Sequence, residues 1–293
     1  MYKKTYKYRL YPTKAQKAMF QKSLDACRWV YNKTLETRKT AWEERQENIG
    51  RYDTIKMLPK WKKDKPDLTN AYSQCLQEVC TRVELAFRAF FRRCKNKENP
   101  GYPRFKSFDR YDSFTYPQSG FKLLKKQLQL AKIGFVERKM KRDIVGEIRT
   151  LTIHRTATGK WYACFSCEVE PKPLPKVSPI VGIDVGLKSF ATFSNGEKIE
   201  NPRFFRKSEK DLAKAQRKLS KQKKRSHERK KAKKVVAHIH EKIANKRRDF
   251  AHKASRNIVN NYQVIAFEKL DIKQMQENGF KGIRKSIGDV AWN

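Results

Sequence analysis

The chain has 293 residues and carries 69 Lys and Arg against 30 Asp and Glu, which gives a formal net charge of +39. Because a charge excess of this size repels itself, it requires a polyanionic partner, and nucleic acid is the leading one. The longest apolar runs, such as residues 180–183 and 264–267, are far shorter than the roughly 18 residues of a membrane-spanning helix. The sequence starts without the apolar segment of a secretory signal. We therefore expect a cytoplasmic protein with no membrane partner and with reduced cysteines.

The N-terminal part of the sequence predicts one strand followed by two amphipathic helices. Residues 5–11 alternate between apolar and cationic side chains, as a half-buried strand does. Thr13 and Gln16 have the spacing of a capping box, and the pattern after them predicts a helix over residues 14–48. A stretch with two prolines, residues 57–66, is expected to interrupt the chain before the second helix. Several arginines lie on the polar face of that second helix, where solvent and nucleic acid are equally good partners.

The amino-acid composition changes from residue 99 onwards, where Pro, Gly and aromatic residues are interleaved with cations. Such a mixture on short strands suits base stacking and phosphate contact, although aromatic residues on strands also form ordinary cores. Residues 150–155 and 161–169 alternate on either side of a short turn and predict a hairpin. Four prolines between residues 171 and 179 indicate a linker, so we place a domain boundary near residue 176.

The C-terminal part predicts an α/β domain. Two apolar strands joined through Gly186 are followed by a short strand over 197–200, a basic helical region and a last strand over 263–267. Residues 206–248 hold 19 Lys and Arg against 4 Asp and Glu. Apolar residues keep helical spacing through the later part of this region, which indicates a packed helix with a very basic outer face. The order strand, strand, strand, long helix, strand is that of an RNase H-like fold.

Two carboxylates lie at the ends of apolar strands, where a charge is costly unless it is paired or binds a metal. Asp184 ends the first strand of the C-terminal part, and Glu268 follows the last one. If the two strands pair in parallel, both side chains reach one cleft and can hold Mg²⁺ or Mn²⁺ through oxygen ligands. Two such ions about 4 Å apart promote phosphodiester cleavage. For either residue alone the simpler account is structural: Asp184 caps a turn, and Glu268 pairs with Lys269.

The motif Gly-Ile-Asp-Val-Gly around Asp184 is also similar to the first strand of sugar kinases and of the actin and heat-shock ATPases. That alternative requires further glycine-rich phosphate loops. The whole chain has only 12 glycines, and none lies in such a loop. A strongly basic helical region is also unnecessary for binding a small nucleotide, so the nuclease interpretation is favoured.

Eight short motifs, distributed over nearly the whole chain, together resemble one known family. They are RLYPT at 9–13, CRWVYN at 27–32, GYPRFK at 101–106, SFTYP at 113–117, GIDVGLKSFAT at 182–192, ENPRFF at 200–205, KIANKRRDFAHKAS at 242–255 and VIAFEKL at 264–270. In this order they resemble the TnpB (OrfB) proteins of insertion sequences, which are related to the type V CRISPR effectors. Each motif alone is weak, and the ordered set is specific.

The resemblance implies an architecture, a metal and partners. The expected fold class is α/β plus β-barrel: a wedge-type barrel over residues 1–12 and 97–175, an inserted helical recognition lobe over 13–96, and an RNase H-like RuvC domain over 176–293. Asp184 and Glu268 would be the first two RuvC carboxylates and the ligands of Mg²⁺ or Mn²⁺. The implied partners are a guide RNA transcribed from the transposon end and double-stranded target DNA in a prokaryotic, nucleoid-associated setting.

We assign nucleic-acid contacts to cationic and aromatic residues in both parts of the chain. Positive side chains suit the phosphate backbone, and an aromatic face suits the bases. The assigned residues are Tyr8, Arg9, Arg104 and Lys106 in the barrel part and Arg217, Lys218, Arg225, Arg247 and Arg248 in the basic helical region.

The sequence departs from the family after Glu268. Members of the family continue through a helix, a zinc ribbon with paired CxxC motifs and a third catalytic Asp. Residues 269–293 contain no CxxC pair. Asp271 and Asp289 are the two aspartates in this segment, and neither matches the position of the third catalytic Asp of the family. We expect Asp271 to cap the segment that follows it. The expectation is therefore a RuvC domain without its C-terminal part.

Zinc is not expected in this chain. Its one CxxC, formed by Cys164 and Cys167, lies on a predicted strand where the odd separation points the thiols to opposite faces. The predicted function is guide-RNA and DNA binding of the TnpB type, with metal-dependent DNA cleavage in the full-length form and little cleavage by this chain. The alternative is a truncated or repurposed binding module that occupies DNA without cutting it.

Overall fold

The computed structural model describes residues 1–139, 142–290 and 292. The chain divides into two compact units, Met1–Pro171 and Lys172–Asn293, so the division falls within the proline-rich segment. None of the described helices combines the length and the apolar character that crossing a membrane requires.

The first unit is built on a seven-stranded antiparallel sheet in the order β2-β6-β7-β1-β5-β4-β3. Its strands are β1 (Tyr2–Tyr11), β2 (Ser113–Tyr116), β3 (Phe121–Leu123), β4 (Gln127–Leu130), β5 (Gly134–Lys139), β6 (Glu147–Arg155) and β7 (Trp161–Val169). The sheet curves into a nearly closed barrel, and the Tyr116 hydroxyl of edge strand β2 donates to the Ala131 carbonyl beside β4 at 3.0 Å. The predicted first strand and the predicted hairpin are confirmed as β1 and as the β6–β7 pair.

Strand β1 lies in the middle of this sheet and separates two environments. Tyr6, Tyr8 and Leu10 are buried, whereas Lys7 and Arg9 point to the outer face. Opposite them on β7 the buried and outer positions alternate in step, because paired residues of neighbouring strands share a face. The alternation seen in the sequence thus gives β1 a core side and a cationic side.

The first unit also has three helices, α1 (Lys14–Arg45), α2 (Arg51–Asp64) and α3 (Ser73–Lys95). Helices α1 and α3 pack against strand β2 of the barrel, and α2 packs against α3. The predicted capping box starts α1, where the Thr13 side chain accepts from the Gln16 amide and the Gln16 side chain accepts from the Thr13 amide. Helices and barrel share one apolar core, in which the Phe20 ring of α1 lies 4.6 Å from the Trp161 ring of β7.

The predicted interruption by two prolines is wrong at Pro59, which lies inside helix α2, whereas Pro66 does follow the end of that helix and starts a 3₁₀ turn before α3. The Pro59 ring is on the exposed side of the helix. On the opposite side Leu58 and Trp61 are buried, and the Trp61 ring packs edge-on against Trp29 with centroids 6.0 Å apart. Burying this apolar face outweighs the backbone hydrogen bond that proline cannot make.

The arginines on α3 attach the helix to its surroundings. Arg82 donates to the Ser113 carbonyl at 2.9 Å and to the Thr115 hydroxyl at 2.7 Å, both on strand β2. Arg93 donates to the Pro100 carbonyl at 2.8 Å. Part of the cationic face of α3 is therefore structural.

The second unit contains a four-stranded sheet in the order β10-β9-β8-β11. Its strands are β8 (Ile180–Asp184), β9 (Ser189–Phe193), β10 (Lys198–Glu200) and β11 (Val264–Phe267), and its helices are α4 (Phe204–Lys221), α5 (His227–Asn261), α6 (Ile272–Asn278) and α7 (Lys281–Val290). Strand β11 pairs with β8 in parallel, and the other pairs are antiparallel. The predicted order of three strands, a helical region and a last strand is confirmed.

The basic region forms two helices rather than one long helix. Helices α4 and α5 pack against each other, and Ser226 caps the start of α5 by accepting from the Arg229 amide at 3.1 Å. Folding back allows α4 to bury Leu212 and α5 to bury Ile243, which a single extended basic helix would leave in solvent. The predicted apolar stripe of α5 faces inward, since its members are buried or half-buried: Val236, Ile239, Ile243, Phe250, Ala254 and Ile258.

Candidate metal site and nucleic-acid surfaces

The two strand-end carboxylates become neighbours through the register of β8 and β11. In this parallel pair Val264 lies opposite Ile180 and Phe267 lies opposite Ile183. The pairing ends there, and Asp184 and Glu268 are the next residues of the two chains, so the same register continued by one residue would put them opposite each other. Residues that lie opposite each other in neighbouring strands point to the same face of a sheet, so the pairing brings both carboxylates to one end of the sheet.

Both carboxylates are exposed. Within the residues that the structure describes, neither Asp184 nor Glu268 has a hydrogen bond or an ion pair that would explain it as a cap or as a partner of Lys269. The strand that carries Asp184 is itself fixed, because the Gly182 amide donates to the Ser194 hydroxyl at 3.1 Å and the Ser194 amide donates to the Gly182 carbonyl at 2.9 Å. Asp184 and Glu268 thus offer exposed carboxylate oxygens, the type of donor that Mg²⁺ prefers.

The two later acids have structural tasks. Asp271 caps α6 by accepting from the Gln274 amide at 2.9 Å, as the sequence predicts. Asp289 of α7 is buried, and its carboxylate accepts from the Phe205 amide at 2.7 Å and from the Arg206 amide at 3.0 Å. Among the described residues no group of three or more His, Cys, Asp or Glu side chains is arranged to hold a metal ion.

The single CxxC lies on β7, where Cys167 is buried and Cys164 is half-buried on the outer face. The prediction that the two thiols point to opposite faces is confirmed. Burial raises the pKa of both thiols. Two thiols on opposite faces of one strand do not converge on a single metal ion.

A cationic surface covers the outer face of the barrel around β1. It lines a groove of about 740 Å³, which we call the barrel groove, formed by Lys7, Tyr8, Arg9, Tyr11, Lys139, Arg142, Lys160 and Tyr162. The Lys7 ammonium lies 4.2 Å and the Arg9 guanidinium 5.2 Å from the Tyr162 ring centroid. Arg9 Nη1 is buried and has no hydrogen-bond partner in the described part of the chain. Such an orphaned donor is costly unless a ligand completes it.

Tyr8, which the sequence assigns to nucleic acid, has its ring in the core of the first unit. Its side chain is only 3% exposed, and its ring packs edge-on against Phe165 in the core. Its hydroxyl donates to the Arg142 carbonyl at 2.9 Å, and burial raises its pKa. A ring in this position cannot stack on a base. Tyr162, which follows the opposite phase of alternation on β7, carries the aromatic ring of the outer face instead.

Two predicted contact residues lie in the segment between α3 and β2. Arg104 is exposed. Lys106 is half-buried, and its backbone is held by Asn32, which accepts from the Lys106 amide at 2.8 Å and donates to its carbonyl at 3.0 Å. Its ammonium lies 5.8 Å from the Tyr31 ring centroid. The GYPRFK segment is thus fixed against α1 at Lys106, while the Arg104 side chain is exposed.

The remaining predicted contacts are on the α4–α5 pair. Four of them are exposed cations: Arg217, Lys218, Arg225 and Arg248. Arg247 differs from these four, because it is half-buried and its guanidinium lies 3.1 Å from the carboxylate of Asp289. Sequence periodicity could not separate Arg247 from its neighbour Arg248, since the acid that pairs with it is 42 residues away along the chain.

Comparison with known proteins identifies the family. A family model described as "Probable transposase", of the OrfB type, matches residues 164–279. A curated protein of Streptomyces pristinaespiralis, named an RNA-guided DNA endonuclease, is 36% identical over 296 residues, which cover 99% of this chain and 72% of that protein. The chain belongs to the TnpB (OrfB) family. The resemblance inferred from the eight motifs is confirmed.

Further comparisons agree with this family. RNA-guided DNA endonuclease InsQ of Escherichia coli (strain K12) is 30% identical over 305 residues, which cover 98% of this chain and 74% of that protein. A model described as "Helix-turn-helix domain" matches residues 1–47, which here form strand β1 and the single helix α1. A cryo-EM structure of a CRISPR-Cas12f ternary complex has a TM-score of 0.37 and 16% identity, over 92% of this chain and 68% of that chain. A superposition at this level does not decide the fold.

Proposed function

We propose that this TnpB-family protein binds a guide RNA and DNA, and that Asp184 and Glu268 form part of a metal-dependent site that hydrolyses DNA. The observation that carries the proposal is the in-register parallel pairing of β8 and β11, because Asp184 and Glu268 lie at the ends of these two paired segments and have no hydrogen bond or ion pair among the described residues. The relatives that are named RNA-guided DNA endonucleases support the same function. The proposed RNase H-like character of the second unit rests on its strand order and on this carboxylate pair.

The donor set fits Mg²⁺ or Mn²⁺. Both groups are carboxylates, and hard divalent cations take oxygen ligands and retain several waters. When bound, the metal ions supply an activated water and stabilise the charge on the leaving oxygen. Asp184 is held by the pairing of β8 with β9, and Glu268 directly follows the paired strand β11, which limits how far apart the two carboxylates can move before substrate arrives.

The cationic surfaces supply the affinity for nucleic acid in this proposal. The barrel groove offers five Lys and Arg side chains, and the α4–α5 pair offers exposed cations along its outer face. Neutralising phosphates with these side chains releases condensed counterions, which gives binding with little sequence preference. Sequence selection would then depend on base pairing with the guide RNA.

The test compares Asp184→Asn and Glu268→Gln with the unchanged protein in its complex with a matched guide RNA. We expect Mg²⁺-dependent or Mn²⁺-dependent cutting of matched DNA to fall at least about 100-fold in each variant, because each lost charge weakens metal binding. A second readout is Mn²⁺ binding measured by electron paramagnetic resonance, which should weaken in both variants. Asp271→Asn is the matched control, since Asp271 is a nearby acid that caps α6.

The outcomes separate two functions. If the unchanged protein binds guide RNA and matched DNA but neither binds Mn²⁺ nor cuts, the protein is a guided binding module without catalysis. If it cuts DNA and both variants cut equally well, Asp184 and Glu268 are not the catalytic carboxylates. If it binds no RNA and no DNA, the proposed function as a whole is wrong.

A further inference from the structure

A cavity of about 530 Å³ lies in the second unit beside the turn that follows Asp184. We call it the basic pocket, and its polar lining consists of Lys188, Asn201, Arg203, Arg206, Ser286 and Asp289. The Asn201 side chain donates to the Leu187 carbonyl at 2.9 Å and fixes the β8–β9 turn to the segment that precedes α4. Lys188 follows Asp184 by four residues, which an extended chain spans in about 14 Å at most.

The one acid in the basic pocket is already paired. Asp289 has a side chain that is 2% exposed, and its carboxylate is engaged by the first turn of α4 and by Arg247 at 3.1 Å. It therefore satisfies the partial positive charge at the start of α4 from inside the fold. It leaves little negative charge for the cations that face the cavity.

Three cations remain on the open side of the basic pocket. Lys188 and Arg203 are exposed, and no side-chain hydrogen bond or ion pair holds either of them within residues 1–139, 142–290 and 292. Arg206 is partly engaged, with Glu209 at 3.7 Å and the Ser286 hydroxyl at 3.4 Å. Such a cluster of like charges is unfavourable without an anion between its members.

The backbone holds one of these cations in an unusual conformation. Arg203 has φ 47° and ψ 48°, in the left-handed region that non-glycine residues seldom adopt. Its amide donates to the Asn201 side chain at 3.1 Å, which stabilises this conformation. Strain of this kind persists where the surrounding structure fixes it, and it accompanies functional sites.

We propose that the basic pocket binds one phosphate of the DNA strand that is cut, at a linkage next to the one placed at Asp184 and Glu268. This inference rests on the proposed function and adds a positioning site to it. Holding a neighbouring phosphate restricts the strand before hydrolysis, which favours the reactive geometry of the scissile linkage. Lys188 and Arg203 are positioning residues, since they contact a phosphate that does not react.

The test replaces single phosphates of the DNA strand, one linkage at a time, with uncharged methylphosphonates. The complex with guide RNA is assayed for DNA binding by fluorescence anisotropy in Ca²⁺, and for cutting in Mg²⁺. For the unchanged protein we expect one neutral linkage, within about two nucleotides of the cut bond, to weaken binding roughly 5-fold. Arg203→Asn and Lys188→Gln should weaken binding of ordinary DNA by a similar factor and should show no additional weakening at that linkage.

Asparagine is chosen at position 203 because it tolerates the left-handed backbone. Lys198→Gln on β10 is the matched control, since it removes an exposed cation of the same unit outside the basic pocket. It should keep the full 5-fold sensitivity to the neutral linkage. The dependence of affinity on salt gives a second readout, because the slope of log K against log salt should fall by roughly 0.7 for each phosphate that a variant no longer neutralises.

If the substitution and the neutral linkage weaken DNA binding independently of each other at every linkage tested, the phosphate contact is falsified and the proposed function remains intact. Non-additivity at a linkage far from the cut bond would also overturn it, because the pocket would then hold a different part of the nucleic acid. If the unchanged protein does not bind DNA at all, the proposed function and this inference fail together.

Discussion

At the scale of single residues, neighbours in the sequence have different tasks. Arg247 and Arg248 are adjacent in a basic helix, yet Arg247 pairs with buried Asp289 while Arg248 is exposed. Tyr8 and Arg9 are adjacent in β1, yet the Tyr8 ring packs in the core and the Arg9 side chain lies on the outer face. In both pairs the residue type suits nucleic acid, and the direction of the side chain decides its use.

Asp289→Ala should loosen the start of α4. The change leaves the Phe205 and Arg206 amides without an acceptor and leaves Arg247 without its acid. Breaking a buried ion pair by removing one partner costs about 3 to 5 kcal/mol, and the lower end applies because Arg247 is 26% exposed. Hydrogen exchange measured on peptides from residues 203–210 should become faster. Asp211→Ala on the exposed side of α4 is the control, and equal protection in both variants would contradict the assigned role.

Because the thiol of Cys27 is buried, we expect the free energy of unfolding to decrease at alkaline pH. Burial raises the pKa of this thiol to about 12, whereas an unfolded thiol has a pKa of about 8.5. The folded state is therefore favoured fully below pH 8.5, and this contribution falls as the pH rises towards the folded value. From pH 8 to pH 10 the loss amounts to about 2 kcal/mol for this one group.

The measurement is the free energy of unfolding of the first unit, obtained from denaturant titrations at pH 8 and pH 10. Cys27→Ala should remove about 2 kcal/mol of the difference between the two pH values. Cys94→Ala serves as the control, because Cys94 is exposed. If both variants keep the pH dependence of the unchanged protein, burial of Cys27 is not its cause.

At the scale of elements, the extent of a helix depends more on the apolar face that it buries than on the helix propensity of a single residue. Helix α2 continues through Pro59 because the opposite side, with Leu58 and Trp61, is buried in the core of the first unit. The α4–α5 pair shows the converse. There a region with no proline or glycine at its bend folds back, because both helices have apolar residues to bury.

Pro59→Ala should stabilise the first unit. The substitution supplies an amide that can donate to the Ile55 carbonyl one turn earlier, and it removes the steric conflict of the proline ring. Because alanine also makes the unfolded chain more flexible, we expect a net gain of about 1 to 2 kcal/mol out of the roughly 3 kcal/mol that proline costs inside a helix. Thermal unfolding measures the change.

Pro66→Ala is the matched control, since Pro66 starts a 3₁₀ turn where the fixed φ of proline is favourable. It should leave the stability unchanged or lower it slightly. A Pro59→Ala protein no more stable than the unchanged one would mean that the helix has already adapted to the missing hydrogen bond.

At the scale of the whole molecule, the excess positive charge that gives the net charge of +39 is distributed over both units. The first unit has the barrel groove, and the second has the outer faces of α4 and α5 together with the basic pocket. The charge is therefore spread over several surfaces, which suits a partner as extended as a folded RNA.

The protein should co-purify with RNA and bind it with a strong dependence on salt. Each phosphate that is neutralised contributes roughly 0.7 to 0.9 to the slope of log K against log salt. The double substitution Lys7→Gln and Arg9→Gln should reduce that slope by about 1 to 2. The substitution Lys172→Gln in the linker should leave the slope nearly unchanged. Binding curves over a series of salt concentrations provide the slopes, and a preparation free of RNA with a slope near zero would contradict the prediction.

The sequence by itself determined the local structure and the family. Alternation fixed β1 and the β6–β7 hairpin, a capping box fixed the start of α1, and ordered motifs identified the TnpB family. These features depend on residues that are close together along the chain, so their physics is readable from spacing alone.

Tertiary structure decided which side chains are available for binding. The parallel register of β8 and β11 brings together the strand ends that carry Asp184 and Glu268, and buried Asp289 takes Arg247 as its ion-pair partner. The basic pocket likewise combines the β8–β9 turn, the start of α4 and helix α7, which are far apart in the sequence. Contacts between distant segments depend on how complete faces pack, and no local pattern of charge or hydrophobicity specifies them.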